Sequence, residues 1–291
     1  MSVTLREGAF AKINLTLDVL GKRPDGYHDI QSVMQTISIR DDVEVEVGTA
    51  KPWTLSCDKE DVPQDSSNLA WKAAEMFCRA AKRDPEGVAI RITKRIPTQA
   101  GLGGGSADAA AVLVGLNELY GARLSMSELC ALGASIGADV PFALMGGTCR
   151  VQGVGDLLKP LPPVPDCWFT VVMPDYGVST PEAFAAYDKV GSTVHPDCET
   201  QEAAVRAGDL DAVCAAAGNA LEECSGAKDT GAIKALLREK GAVTALMTGS
   251  GSAVFGIFRD ETSARAAAAA AKHRWKQVYT AQPDKGGARV V

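Results

Sequence analysis

Pro97-Thr98-Gln99-Ala100-Gly101-Leu102-Gly103-Gly104-Gly105-Ser106-Ala107 separates a predicted strand from a predicted helix. Residues 88–94 alternate as a half-buried strand does. Apolar residues then recur at helical spacing from Val112 to Leu119. Because this order places free backbone N–H groups at the positive end of a helix dipole, the stretch predicts a phosphate-binding loop.

Two well-known nucleotide-binding patterns do not fit this loop. The P-loop pattern has a lysine directly after its last glycine, and no lysine follows a glycine within residues 97–107. The dinucleotide-binding pattern requires a third glycine where Ser106 stands. A flexible turn is the alternative interpretation, but four glycines in five positions carry an entropic cost that a simple turn does not need. We expect Ser106 to cap the helix or to contact a bound phosphate or its metal ion.

The composition is that of an ordinary soluble globular protein. Of the 291 residues, 46% are apolar and 23% are charged, and the net charge of −6 argues against nucleic-acid and membrane partners. No run of about 18 apolar residues predicts a transmembrane helix, and the N-terminal residues lack the apolar core of a secretion signal. Eight scattered cysteines without a C-x-x-C pair favour reduced thiols. We therefore expect a cytoplasmic protein.

Prolines mark a boundary near the middle of the chain. Residues 159–165 contain four prolines, which is typical of a stiff connector. Strand and helix patterns are mixed on both sides of this stretch. The sequence therefore predicts an α+β chain with two domains, residues 1–159 and 160–291.

Several individual elements are also predictable. Strand patterns occur at residues 43–47, 168–173 and 254–258. Helices are expected to start near Asn68 and, with a capping-box pattern, at Ser125.

The glycine loop matches the second of three motifs of a known family. Residues 97–107 match P-x-x-x-G-L-G-S-S-A-A, and the first and third motifs correspond to residues 9–15 and 247–253. With these motifs in the same order, the chain resembles the GHMP kinases (galactokinase, homoserine, mevalonate and phosphomevalonate kinases). The resemblance implies a two-domain α+β fold. Its N-terminal half would be ribosomal protein S5 domain 2-like and its C-terminal half ferredoxin-like.

Three further segments narrow the resemblance. Residues 11–15, 21–28 and 137–142 are similar to a GHMP subfamily that uses ATP to phosphorylate the 2-hydroxyl of a methylerythritol carrying cytidine diphosphate, on a route to isoprenoids. One alternative is another GHMP kinase of the homoserine or mevalonate type, whose small acceptor needs no aromatic base site. The other is a non-catalytic, ligand-sensing GHMP protein, which the intact loop and candidate catalytic residues disfavour.

Lys12 and Asp139 are the candidate catalytic residues. The resemblance assigns Asp139 as the base that accepts the proton of the attacking hydroxyl, a role that suits phosphoryl transfer. Local sequence equally allows Asp139 to cap a short helix that starts at Pro141. Lys12 lies in a strand-like segment, where a lysine usually faces solvent. The family comparison instead pairs it with Asp139, where its charge would favour the carboxylate and stabilise the transferring phosphoryl group.

Aromatic residues are candidates for the acceptor site. The resemblance implies that Tyr27 stacks on the cytosine, that His28 hydrogen-bonds its polar edge and that Phe184 is the second stacking ring. Stacking of this kind stabilises a bound base. The alternatives are a surface turn for Tyr27 and His28, and helix core for Phe184. Asn14 and Thr180 are candidates for contacts with the methylerythritol or diphosphate groups.

ATP is the expected phosphoryl donor, with its phosphates along Pro97 to Ala107. By position in the subfamily pattern, Asn68 and Lys94 are expected near its adenosine; the alternatives are a helix N-cap and a solvent-facing strand lysine. Mg²⁺ is implied, but no carboxylate cluster identifies protein ligands, so ATP itself is expected to hold the ion. Residues 249–251 are expected to form a supporting turn beside the site. We expect a monomer or weak homodimer that acts on a small-molecule cytidine diphosphate substrate.

Overall fold

The chain forms two β-sheets with helices packed on them. The computed structural model describes residues 2–48, 53–83 and 87–291. The strands within those residues are β1 (Val3–Lys22), β2 (His28–Val47), β3 (Thr54–Cys57), β4 (Ala89–Thr93), β5 (Thr148–Gly153), β6 (Leu157–Leu161), β7 (Trp168–Met173), β8 (Gly218–Asn219), β9 (Thr244–Met247), β10 (Val254–Phe258), β11 (Gln277–Ala281) and β12 (Arg289–Val290). The helices of the same residues are α1 (Leu69–Ala80), α2 (Gly104–Leu119), α3 (Met126–Ala134), α4 (Val140–Met145), α5 (Thr180–Val190), α6 (Cys198–Ala207), α7 (Leu210–Ala215), α8 (Thr230–Glu239) and α9 (Glu261–Ala271). None of the helices in this part of the chain is long and apolar enough to cross a bilayer.

Strands β1 and β2 form the centre of the larger sheet. They pair antiparallel from Val3 opposite Val47 to Lys22 opposite His28. Among the described residues this sheet has eight strands: β3 to β6 extend it beside β2, and β8 and β12 pair with β1. Almost all of β1 from residue 7 to 19 is buried, because α2 and α6 both pack against this strand. Polar side chains of β1 between residues 7 and 19 are therefore buried inside the protein.

The second sheet consists of β7, β9, β10 and β11. These strands are antiparallel in the order β11-β7-β10-β9, and α8 and α9 pack on them. The predicted strands at residues 168–173 and 254–258 are β7 and β10, as expected. Mixed helices and strands around two sheets confirm the α+β fold class.

The proline-rich stretch is only partly a connector. Residues 159–161 belong to β6, in which Pro160 lies opposite Cys149 of β5. An edge strand tolerates proline because the side that lacks an N–H group can face away from the sheet, so the connector begins only after residue 161. The predicted division at residue 160 falls inside β6, and β8 and β12 return to the larger sheet from the second half. That division stays a prediction.

Two of the three helix N-caps suggested by the sequence are present in the structure. Asn68 accepts a hydrogen bond from a first-turn backbone N–H of α1, and Ser125 and Glu128 form the capping box of α3. The N-cap of α2 is instead Gly103, with a left-handed backbone and no side-chain cap. Ser106 lies within the first turn, so the capping alternative for this residue is wrong, and its contact with a phosphate or metal ion stays a prediction. The glycine turn places the helix start three residues earlier.

Candidate active site

A cavity of about 880 Å³ opens between the start of α2 and helix α5. Its wall combines β1, the β1–β2 turn, the glycine loop, the start of α4 and the start of α5. The structure places every predicted site residue in this wall except Ala107, which is buried within α2. The predicted residues that line it are Lys12, Asn14, Tyr27, His28, Asn68, Lys94, Pro97 to Ser106, Asp139, Thr180 and Phe184.

Glycines allow the loop to pack closely against its neighbours. Gly101 and Gly103 have φ angles of 74° and 71°, a left-handed conformation that glycine adopts without a steric penalty. A Cβ atom on Gly101 would overlap the carbonyl oxygen of Thr248, and one on Gly103 would lie 3.0 Å from Cγ of Lys12. The first turn of α2 follows without a side-chain cap. Its N–H groups are therefore available to an anion in the cavity.

Lys12 and Asp139 form an ion pair beside this loop. Lys12 Nζ lies 3.5 Å from Asp139 Oδ2 and donates a hydrogen bond to Asn14 Oδ1 at 2.9 Å. The backbone N–H of Lys12 donates to the carbonyl of Leu102 at 3.0 Å. Lys12 is buried rather than solvent-facing. Asp139 occupies the N-cap position of α4, but its side chain makes no cap hydrogen bond, which leaves the carboxylate to the lysine and the cavity.

Lys94 joins two buried carboxylates. Its Nζ lies 2.5 Å from Asp41 Oδ2 and 2.7 Å from Asp108 Oδ2, and all three side chains are buried. Burial alone would lower the pKa of Lys94, but the two carboxylates raise it above its ordinary value. Burial also raises the pKa of Asp108, against the opposing effect of Lys94. The solvent-facing alternative for Lys94 is therefore wrong, since this lysine holds β4 to β2 and to α2.

Asn68 is both the N-cap of α1 and part of the cavity wall. It caps α1, and its Nδ2 donates to the carbonyl of Pro63 at 2.7 Å. The N-cap alternative is thus confirmed, and the residue also lines the cavity. Contact with adenosine stays a prediction.

The predicted aromatic residues lie where the β1–β2 turn meets α5. The rings of His28 and Phe184 are stacked, with centroids 4.7 Å apart and an interplanar angle of 25°. Tyr27 is 65% exposed and lines the same cavity. His28 is buried, and its Nε2 lies 2.7 Å from Asp188 Oδ1. The buried His28 ring therefore stacks on the half-buried ring of Phe184, and the exposed Tyr27 lines the same cavity.

The third motif joins the first two. The backbone N–H of Asn14 donates to Thr248 Oγ1 at 3.1 Å, and the Thr248 hydroxyl donates to the carbonyl of Gly101 at 3.3 Å. Beside it, the hydroxyls of Thr180 and Ser250 lie 2.9 Å apart. The turn at residues 248–250 thus holds β1, the glycine loop and α5 together.

Sequence reasoning missed Asp41, Asp108 and Asp188. Asp108 offered a signal, because it is a single carboxylate within the alanine-rich part of α2. Asp188 follows Phe184 by one helical turn, so the spacing places both side chains on the same face of a helix. Nothing in the local sequence distinguishes Asp41 from its neighbour Asp42. Among the described residues no group of three His, Cys, Asp or Glu side chains could hold a metal ion.

Comparisons with known proteins identify the family of this chain. The profile of the GHMP kinases N terminal domain matches residues 68–147, and that of the GHMP kinases C terminal domain matches residues 202–277. The chain is 44% identical over 272 residues to the 4-diphosphocytidyl-2-C-methyl-D-erythritol kinase of Pelotomaculum thermopropionicum, covering 93% of this chain and 94% of that protein. It is 43% identical to the enzyme of the same name from Geobacillus thermodenitrificans, with 87% of each chain covered.

Solved structures show the same likeness. A crystal structure of 4-(cytidine 5'-diphospho)-2C-methyl-D-erythritol kinase is 34% identical, with a TM-score of 0.80 over 98% of this chain and all of that chain. Homoserine kinase from Cytophaga hutchinsonii shares the fold, with a TM-score of 0.78 at 18% identity and 99% and 97% of the two chains covered. Fold and cavity thus define a small-molecule kinase of the GHMP type. Within that class, the chain belongs to the 4-diphosphocytidyl-2-C-methyl-D-erythritol kinase family.

Proposed function

We propose that the cavity transfers the γ-phosphoryl group of ATP to the 2-hydroxyl of 4-diphosphocytidyl-2-C-methyl-D-erythritol, giving ADP and the 2-phosphate. The observation that carries this proposal is the Lys12–Asp139 pair, 3.5 Å apart, next to the uncapped start of α2. A base and a cation beside an anion-binding helix end are what phosphoryl transfer requires. The family relatives support the same reaction.

The glycine loop would hold the donor. Free N–H groups at the start of α2 and the positive end of its dipole favour the phosphates of ATP. Asn68 and Lys94 line the same cavity, and the adenosine would lie near them. Mg²⁺ would neutralise phosphate charge, and Ser106 and Asp139 are among the oxygen-bearing side chains that line the cavity and would hold it.

Asp139 and Lys12 would act on the acceptor. The hydroxyl oxygen of the substrate forms a bond to the γ-phosphorus, the bond from that phosphorus to ADP breaks, and the hydroxyl proton passes to the Asp139 carboxylate. The Lys12 ammonium stabilises the negative charge of the transferring group. Asn14 helps to hold the ammonium in place by accepting its 2.9 Å hydrogen bond. No covalent phosphoenzyme is needed.

The aromatic end of the cavity would bind the cytosine. Tyr27 and Phe184 would supply stacking surfaces, and His28 would supply a hydrogen bond to the base edge. A homoserine or mevalonate-type acceptor has no base for these rings to contact. The hydroxyls of Thr180 and Ser250, 2.9 Å apart, line the same cavity and would contact the diphosphate.

An acceptor panel tests the proposal. Purified protein with Mg-ATP is incubated with the cytidine substrate, mevalonate or homoserine, and ADP release is measured. We expect turnover on the cytidine compound alone. ADP release at background level with that compound contradicts the proposal, and turnover of mevalonate or homoserine instead identifies a different GHMP kinase.

A further inference from the structure

Asp188 connects helix α5 to the turn end of the β1–β2 hairpin. Lys22 and His28 are directly opposite each other in the strand register. Asp188 accepts from both: Lys22 Nζ lies 2.6 Å from its Oδ2 and His28 Nε2 lies 2.7 Å from its Oδ1. Phe184, one turn earlier on the same helix, stacks on the His28 ring. The imidazole is thus fixed by a ring on one side and a carboxylate at one nitrogen.

The charge of Asp188 decides which nitrogen of His28 carries the proton. Hydrogen bonds from Lys22 and then His28 lower the pKa of Asp188 below its ordinary value, so the group is a carboxylate at neutral pH. A carboxylate can only accept hydrogen bonds. His28 Nε2 must therefore be the protonated nitrogen, and in the neutral ring Nδ1 is left as an acceptor.

We propose that Asp188 is a positioning residue through which His28 selects a cytosine over a uracil base. An acceptor at Nδ1 matches the exocyclic amine of cytosine, which donates, and opposes the carbonyl oxygen that uracil carries at the same position. A polar site of this kind discriminates strongly, because the wrong base leaves two acceptors facing each other. The inference rests on the proposed role of His28 in binding the base.

Replacing the Asp188 carboxylate with an amide is expected to move the proton of His28 from Nε2 to Nδ1. In Asp188→Asn the donor-only Lys22 ammonium takes the amide oxygen, so the amide NH2 group faces His28 and donates to Nε2. Nδ1 then carries the proton and becomes a donor. We expect the ratio of kcat/KM for the cytidine acceptor to that for its uridine analogue to fall by about 10-fold or more. The change is expected in KM for the cytidine acceptor rather than in kcat. Asp188→Glu keeps a carboxylate and is expected to retain the wild-type preference for cytidine.

A spectroscopic measurement reports the same switch without substrate. The chain has three histidines, so the ring nitrogens of His28 can be assigned in a ¹⁵N-edited spectrum by comparison with His28→Gln. We expect the Nε2-protonated ring in the wild type and the Nδ1-protonated ring in Asp188→Asn.

Three outcomes overturn the proposal. They are an unchanged cytidine-to-uridine ratio in a folded Asp188→Asn variant, an Asp188→Glu variant as unselective as Asp188→Asn, or an Nδ1-protonated His28 in the wild type. A failure of the proposed function looks different, because the wild type would then turn over neither acceptor, and both ideas would fall together.

Discussion

The ammonium group of Lys12 lies 3.5 Å from the Asp139 carboxylate in a place where only 9% of the lysine side chain is exposed. Removing either partner takes away one function in phosphoryl transfer: charge stabilisation by the lysine or proton acceptance by the aspartate. We expect Lys12→Ala and Asp139→Asn each to lower kcat by about 10²-fold or more, measured as ADP release at saturating substrates. Lys72→Ala, at an exposed position of α1, is the matched control. Near-wild-type turnover in either variant would exclude that residue from catalysis.

Glu7 is a second residue whose environment has a measurable consequence. It lies in β1 with no exposed surface, and neither carboxylate oxygen has a hydrogen-bond partner among the described residues. Burial, with a smaller contribution from Glu118, raises the pKa of Glu7 from 4.5 to about 7. Between these values the folded protein keeps a proton that the unfolded chain has released. The free energy of unfolding therefore falls as pH rises through this window.

Glu7→Gln is expected to remove this pH dependence, because a carboxamide stays neutral. At pH 8 the variant should be more stable than the wild type by about 3 kcal/mol at most, with the difference shrinking toward pH 5. Urea unfolding at several pH values measures it. Glu60→Gln, at an exposed position, is the control for loss of one negative charge. If the free energy of unfolding has the same pH dependence in Glu7→Gln and the wild type, folding does not raise the pKa of Glu7.

At the level of elements, the glycine loop is held between β1 and the turn after β9. Gly103 and Gly121 both have positive φ angles, 71° and 56°. A Cβ on Gly103 would lie 3.0 Å from Lys12 Cγ, whereas one on Gly121 would meet nothing within 4 Å. Substitutions at these two glycines therefore distinguish the effect of backbone strain, which both share, from the effect of contact with Lys12, which only Gly103 has.

Alanine at either glycine is expected to lower stability by about 1–2 kcal/mol through left-handed strain. Gly103→Ala should also lower kcat by about 10-fold, because Lys12 must shift away from the acceptor. Gly121→Ala should leave kcat within about twofold of the wild type, since strain at that position touches no site residue. Thermal unfolding and steady-state kinetics provide the two measurements. Equal effects of the two substitutions on kcat would mean that contact with Lys12 is unimportant.

At the scale of the whole molecule, Thr248 joins segments far apart in the chain. Its hydroxyl accepts from the backbone of Asn14, 234 positions away, and donates to the loop carbonyl of Gly101. Thr248→Val is nearly isosteric but leaves the buried N–H of Asn14 without a partner. We expect a loss of about 1–3 kcal/mol in the free energy of unfolding, and a higher KM for ATP as the loop loosens.

Thr248→Ser keeps the hydroxyl and is the matched control for that substitution. Its midpoint of urea unfolding and its KM for ATP should lie closer to the wild-type values than those of Thr248→Val. If the valine and serine variants behave alike, the hydrogen bonds of Thr248 contribute nothing to loop position.

Local patterns predicted much of the fold. The strand at β4, the start of α1 at Asn68 and the capping box of α3 depend on residues within one or two turns, and the structure confirms them. Of the two alternatives for Ser106, the capping role was wrong, because Gly103 occupies the N-cap of α2. Prolines suggested a connector, yet Pro160 pairs at a sheet edge that only the complete fold provides.

The sequence by itself determined the motifs, their order and the residue types of the site, since strand, loop and helix signals are local and a family resemblance depends on spacing. Only the tertiary structure decided which polar groups are buried and with whom. In the sequence, Lys12 and Lys94 resemble surface lysines. In the folded protein both are buried, and Lys12 pairs with Asp139 whereas Lys94 pairs with Asp41 and Asp108. His28 gains its carboxylate partner from a helix 160 positions away. Desolvation and long-range pairing arise only when distant segments meet, so no local pattern records them.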